Sequence, residues 1–355
     1  MFDQIINAPN QRIIDLEYLK GAKIPLILFG SATCAQLSYS LLKTNNISVD
    51  YVALDEEFYH TDLFLKDFPI RLIDEILQKE TLVNIVFAFE KSRLKMKNYS
   101  SYNNVAKCIF FDNLAFPFED DYIEKTISEF ESLYYSLADN LSKKILLAYL
   151  KTKKTGCADE LFVLNVENED QYFPSFLHLS YDEVFVDCGA YIGDTVMIFN
   201  QYVSGKYNKI YAFECDNASV VKLKENTVNY RKMEIIPKGC YSENAVFSFS
   251  DEGTISSKIT TDIGEIRIET VKIDDVIKNE RVSFIKMDVE GSELEALKGA
   301  RNTIIKNKPK LAIAVYHKQE DLVTIPSYIL SLNENYKIYL RHYGERATET
   351  ILYAI

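Results

Sequence analysis

Short apolar runs alternate with segments of helical spacing along most of this chain, and many of the runs end at Gly or at an acidic residue. That alternation predicts βαβ units built on a parallel sheet. Ile24-Pro-Leu-Ile-Leu-Phe-Gly30 reads as a strand ending in a turn, residues 31–42 as a helix, and residues 49–54 as a second strand followed by Asp55. Val184-Phe-Val-Asp-Cys-Gly189 repeats the design: a helix follows over 194–202, and Ile210-Tyr-Ala-Phe213 forms a strand ending at Glu214. In both stretches 25 positions separate the Gly from the acid. Each is a candidate βαβ unit with Gly after its first strand and a carboxylate after its second. The same spacing also follows from any compact βαβ unit.

The rest of the pattern divides the chain. Further strands at 83–89 and 107–111, with a helix over 64–79, make a small parallel, Rossmann-like α/β domain over residues 1–115. Residues 116–180 read as a helical connector, because 119–155 is rich in Glu, Lys, Leu and Tyr at helical spacing. Residues 181–355 form the second domain. Its later strands are 233–237, a hairpin of 245–250 with 265–273 around the polar stretch 251–264, then 282–287 ending at Asp288 and 310–316 ending at His317. Residues 336–341 and 348–353 close it as an antiparallel pair.

Composition narrows the function classes. With 355 residues, 47% hydrophobic and 26% charged, the chain has apolar material for two globular cores. Its 52 acidic against 40 basic residues give a net charge of −12, which argues against nucleic acid as the main partner. No apolar stretch is long enough to predict membrane insertion, and residues 1–16 lack the basic-then-apolar pattern of a secretory leader. The six cysteines form no C-x-x-C pair and show no zinc spacing, so reduced thiols in a cytoplasm are expected.

Three places carry candidate chemistry. In Asp187-Cys-Gly-Ala-Tyr-Ile-Gly-Asp-Thr195, Gly189 permits a tight turn and Gly193 lets the helix start lie close to a ligand. A dinucleotide fold has G-x-G-x-x-G here, to receive a pyrophosphate. The acid two residues before the first Gly would repel a pyrophosphate and suits the cationic methionyl end of S-adenosylmethionine (SAM), directly or through water. Glu214 would accept from ribose hydroxyls; for Asp187 the plainer reading is a helix-capping or loop carboxylate. In Phe284-Ile-Lys-Met-Asp-Val-Glu-Gly-Ser-Glu293, Asp288 sits at a strand end, where open α/β sheets bind ligands. Glu290 and Glu293 follow in a first helical turn, which the helix dipole alone explains. His317 also ends a strand and can accept a proton near neutrality. His342 lies near the closing pair and is weighed for the same rim, against a hydrogen-bonded structural role.

VFVDCGAYIGDT, YAFECD, TISSKI at 254–259, TVKIDD at 270–275, FIKMDVEGSELEALKGA and KPKLAIAVYHK, in this order, resemble the FkbM-type methyltransferase family over about residues 180–355. The resemblance implies a class I, Rossmann-like seven-stranded domain. The implied reaction is SAM-dependent O-methylation of a hydroxyl on a saccharide, glycan precursor or related natural product. It implies cofactor contacts at Asp187, Gly189, Ala190, Tyr191, Gly193, Glu214, Cys215 and Asp288, and a catalytic edge of His317, Asp288 and Glu290. Ala190 stands where many class I enzymes have a second Gly, and Cys215 where relatives often have Pro.

Alternatives stay open on the same residues. N-methylation of an amino sugar or amino acid would use the same cofactor site. Asp288, Glu290 and His317 around a divalent cation such as Mg²⁺ is an alternative catalytic set, although no residue is assigned to a metal. A nucleotide- or sugar-nucleotide-binding role would centre on the N-terminal domain, where Gly30 to Ala35 lacks the full glycine fingerprint. That domain has three candidate tasks: holding a sugar nucleotide, presenting the acceptor, or pairing subunits into a homodimer.

Overall fold

The structure, a computed structural model, describes residues 2–59, 64–65, 68–89, 92–112, 114–166, 170–249, 255–256, 266–278 and 280–355. The chain separates into two compact units. One comprises Met1–Ile127, Lys144–Asn165 and Gly344–Thr348; the other comprises Ser128–Lys143, Val166–Tyr343 and Glu349–Ile355. Among the described residues no helix is long and apolar enough to cross a membrane.

The first unit is built on β1 (Leu26–Phe29), β2 (Tyr51–Leu54), β3 (Phe64–Leu65), β4 (Phe68–Leu72), β5 (Val83–Phe87) and β6 (Val105–Phe110). They form one sheet in the order β3-β4-β2-β1-β5-β6. Pairing is parallel except between β3 and β4. Side chains alternate along the strands to feed two layers. Leu26, Leu28, Val52 and Val86 pack with Leu16, Leu19, Ala35 and Leu42, while Ile27, Phe29, Ile85 and Phe87 pack with Ile73 and Ile76.

One expected element is corrected here. Residues 64–79 are not a single helix: 64–65 and 68–72 pair as strands and only Ile73–Lys79 is helical. Pro69 explains the break. Its ring blocks a helical partner four residues back, and it biases Phe68 towards extended backbone. The antiparallel β3–β4 pair also makes the sheet mixed rather than wholly parallel.

The second unit holds β7 (Val184–Cys188), β8 (Lys209–Phe213), β9 (Met233–Ile236), β10 (Gly239–Cys240), β11 (Val246–Phe249), β12 (Ile255–Ser256), β13 (Ile266–Val271), β14 (Phe284–Met287), β15 (Lys310–Ala314), β16 (Ile338–His342) and β17 (Thr350–Ala354). Its main sheet runs β16-β17-β15-β14-β7-β8-β9. The strands from β15 to β9 are parallel, and β17 runs antiparallel to both neighbours. This closing pair is the one the hydrophobic pattern predicts. The chain goes from β7 outward through β8 and β9, then returns to place β14 on the other side of β7. That reversal opens a crevice at the C-terminal ends of β7 and β14. A second sheet, β10-β13-β11-β12, stands beside it. Every residue of β7 and β14 is buried. Phe185 stacks on Phe199 at 4.5 Å and on Phe284 at 5.1 Å between ring centres, which fixes these strand ends from below.

Candidate functional site

The turn after β7 is set by a close approach. Gly189 has φ +79°, and a Cβ there would overlap the carbonyl oxygen of Asp288. Only glycine lets the ends of β7 and β14 come this near. The N–H groups of Gly189 and Ala190 donate to Phe213 O at 3.0 and 2.9 Å, which ties the turn to β8. Tyr191 follows with φ +46° and an exposed ring. Its N–H donates to Glu214 Oε2 at 2.8 Å, and the N–H of Asp216 donates to Glu214 Oε1 at 2.7 Å. Glu214 is thus held by two backbone groups at the end of β8. Gly193 precedes the helix Asp194–Tyr202, and Asp194 lies in its first turn.

Asp187 lies one step back from this turn. It is fully buried, and its Oδ1 sits 3.0 Å from Lys286 Nζ. Lys286 also donates to Gly189 O at 2.7 Å. The charge that the sequence pairs with a cationic ligand is therefore already met by a neighbouring strand. Burial pushes the Asp187 carboxyl up to about 6, against the pull of Lys286. Burial alone would lower Lys286, but Asp187 and Asp288 outweigh it and hold the ammonium above its ordinary value.

The opposite edge is built by β14, β15 and the turns after them. Tyr172 donates to Asp288 Oδ2 at 2.6 Å, and the Tyr316 hydroxyl lies 3.5 Å from the same oxygen. Asp288 Oδ1 lies 3.5 Å from His317 Nε2, and Glu290 Oε2 is also 3.5 Å from that nitrogen. The other ring nitrogen, Nδ1, meets Glu293 Oε1 at 2.9 Å. Glu293 is fully buried and accepts from the N–H groups of Val289 and Gly291 at 2.9 and 3.3 Å. Burial would lower His317, yet Glu293, Asp288 and Glu290 together raise it above its ordinary value. Burial and then Asp288 raise the Tyr172 phenol.

Between the two edges lies a cavity of about 940 Å³. That is the upper end of the roughly 300–1,000 Å³ of small-molecule sites. Gly189, Tyr191, Glu214 and Cys215 line one side; Asp288, Glu290, Lys318 and Glu349 line the other. Phe247 and Ile268, from β11 and β13, supply apolar wall. Asp187, Ala190 and His317 are buried. His342 is fully buried in β16, with Nδ1 2.9 Å from Thr350 Oγ1, so it takes the structural alternative. Most of TISSKI and of the polar stretch 251–257 lies outside the described residues.

Several residues of the site were not singled out by sequence. Lys286 is a charge inside an apolar strand two positions before Asp288, and that misfit is its signal. In the sequence, the helix dipole alone accounts for Glu293. Its contacts with His317 and the preceding turn need the fold to become visible. Nothing in the sequence around Tyr172 signals its bond to Asp288.

The first unit has a matching turn with other surroundings. A Cβ at Gly30 would run into Ala88 O, so packing of β1 against the end of β5 demands glycine there. The Asp55 carboxylate is paired with Lys95, whose ammonium also lies 5.6 Å from the ring centres of Phe58 and Phe89.

A seven-stranded sheet with one antiparallel strand next to its edge, and a deep cavity at the β7–β14 reversal, defines a class I methyltransferase-type α/β domain. Residues 187–346 match the family model described as "Methyltransferase FkbM domain". Over these residues the chain is similar to FkbM-family methyltransferases. A solved structure of methyltransferase FkbM from Methylobacillus flagellatus KT is 24% identical, with a TM-score of 0.74, over 99% of this chain and 95% of that one. That likeness shows a shared fold across both units. An rRNA methylase from Streptococcus thermophilus is 16% identical over 50% of this chain and 87% of that one, and its TM-score of 0.33 is too low to add to this. No curated protein matches the chain.

Proposed function

We propose that the cavity binds SAM against the Gly189–Glu214 edge and that the chain O-methylates a hydroxyl of a saccharide, glycan precursor or related natural product. One observation carries the reading: a single cavity has Gly189, Tyr191 and Glu214 on one side and Asp288 and Glu290 on the other. SAM, when bound, supplies a sulfonium methyl group for in-line transfer. Glu214 is rigidly held and still on the wall, so it is placed to accept from ribose hydroxyls. The buried Asp187–Lys286 pair fixes the Gly189 carbonyl, and so acts on the cofactor edge through the turn. Positioning of this kind can supply several kcal/mol of the barrier reduction.

The Asp288, Glu290 and His317 edge takes the acceptor. A sugar hydroxyl needs its proton removed as it attacks. Tyr172 and Tyr316 address Asp288 Oδ2 and leave Oδ1 towards His317 Nε2. The Asp288–His317 pair is therefore the proton-accepting group. A second reading, N-methylation of an amino sugar or amino acid, draws on Glu290, Glu295 and Glu349 along the wall, which would attract an ammonium. The test is methyl transfer by the full chain from methyl-labelled SAM to a panel of sugars, amino sugars and amino acids. Label on oxygen supports the first reading and label on nitrogen the second. Absence of SAM and S-adenosylhomocysteine (SAH) binding at millimolar concentration overturns both.

A further inference from the structure

We propose that Asp288, Glu290 and His317 bind one divalent first-row ion of the Mn²⁺ or Zn²⁺ kind, with Glu293 as the carboxylate that orients the histidine. Two of the three donor pairs already stand close. His317 Nε2 stands 3.5 Å from Asp288 Oδ1 and 3.5 Å from Glu290 Oε2. These separations are long for hydrogen bonds. They match two edges of a tetrahedral site, about 3.4 Å for metal bonds of about 2.1 Å, and the exposed Glu290 side chain would set the third. Imidazole nitrogen with carboxylate oxygens suits Mn²⁺ or Zn²⁺ better than Mg²⁺, which prefers an all-oxygen shell.

The surroundings make this more than a group of acids. A metal-bound histidine ordinarily gives its other ring nitrogen to a carboxylate, which fixes the tautomer and the ring plane. Here Nδ1 meets Glu293 Oε1 at 2.9 Å, and that oxygen is itself anchored by two backbone N–H groups. Independently, Glu293 Oε2 is buried in a residue with 0% exposure and has no hydrogen-bond partner among the described residues. Donor atoms of Asp288, Glu293 and His317 all lie within 4.8 Å of one another. A buried carboxylate oxygen in that state needs compensating positive charge nearby. Asp288 and Glu290 are on the cavity wall, so an ion between them and His317 would face the acceptor. Its role rests on the methyl-transfer reading: with the ion bound, Asp288 and His317 serve as its ligands and no longer as the proton acceptor, and the ion would instead polarise the acceptor hydroxyl, whose proton leaves to solvent as the methyl group joins the oxygen. The site itself does not depend on that reading.

The experiment counts ions. The full chain is stripped with chelator, dialysed against MnCl₂ or ZnCl₂ without SAM or acceptor, and measured by elemental analysis and calorimetric titration. One ion per chain is expected. Glu293→Gln should weaken it roughly 10–100-fold, as loss of an orienting carboxylate does, and His317→Ala should abolish it. Glu290 is exposed, so Glu290→Gln tests the site without endangering the fold; it should weaken binding about tenfold. Failure of the wild type to bind either ion at millimolar concentration overturns the proposal. So does binding by Glu290→Gln and folded His317→Ala as tight as the wild type's. A parallel SAH titration reports the cofactor edge, so loss of the ion site and loss of the methyltransferase reading are told apart.

Discussion

After β1 the chain turns at Gly30, and 25 positions later Asp55 follows β2; after β7 it turns at Gly189, and 25 positions later Glu214 follows β8. Both glycines answer a close backbone approach, to Ala88 in one unit and to Asp288 in the other. The acids differ. Asp55 is paired with Lys95, whereas Glu214 is held by backbone N–H groups and lines a large cavity. Matching spacing therefore reports a βαβ unit, and the partner of the second strand's acid decides whether a ligand can use it. The two units also bury a lysine differently. Lys286 has Asp187, while Lys153 donates to Phe116 O and lies against the rings of Phe118 and Tyr149.

The largest expected effect is at Asp187. Asp187→Ala leaves the Lys286 ammonium buried without its counter-charge, and urea unfolding should show a loss of roughly 3–5 kcal/mol. A cost below about 1 kcal/mol would mean the pair does not hold the Gly189 turn. Next comes Glu214. Glu214→Gln should weaken SAH binding by roughly 1.5–3 kcal/mol in calorimetry, the usual worth of hydrogen bonds to a charged group. Asp55→Asn should leave SAH binding unchanged, and if it matters equally the contrast between the two acids fails.

A pH series sharpens the comparison of lysines. Burial lowers Lys153 to about 7, well below its unfolded value. Between those two values the unfolded chain holds the proton and the folded chain does not, so stability rises with pH there and the full penalty applies below. Wild type should therefore gain on Lys153→Met from pH 7 to 9, by at most about 1.4 kcal/mol per pH unit in urea melts. Parallel curves would show that Lys153 keeps an ordinary pKa. The smallest effect is on stability at Asp55. Its ion pair is partly exposed, so Asp55→Ala should cost roughly 0–1 kcal/mol.

Much of the second unit is legible before any coordinates. Its strands are apolar runs that stop at Gly189, Glu214, Asp288 and His317, because buried parallel strands are continuously apolar and their ends carry the chemistry. What stays hidden depends on partners far apart in the chain. Asp187 and Lys286 are nearly a hundred positions apart, and no local pattern links them. Glu293 reads as an ordinary first-turn acid until the fold sets His317 beside it. The expected helix at 64–79 fails for a local reason: the helical periodicity runs through Pro69, and proline is a signal to stop.

The most direct measurement of the central claim is calorimetric titration of the full chain with SAM, SAH and NAD. The proposed reading expects one equivalent of SAM per chain, displaced by SAH, with no heat from NAD at the same concentrations. Equal binding of NAD, or no binding of SAM and SAH at millimolar concentration, would contradict it.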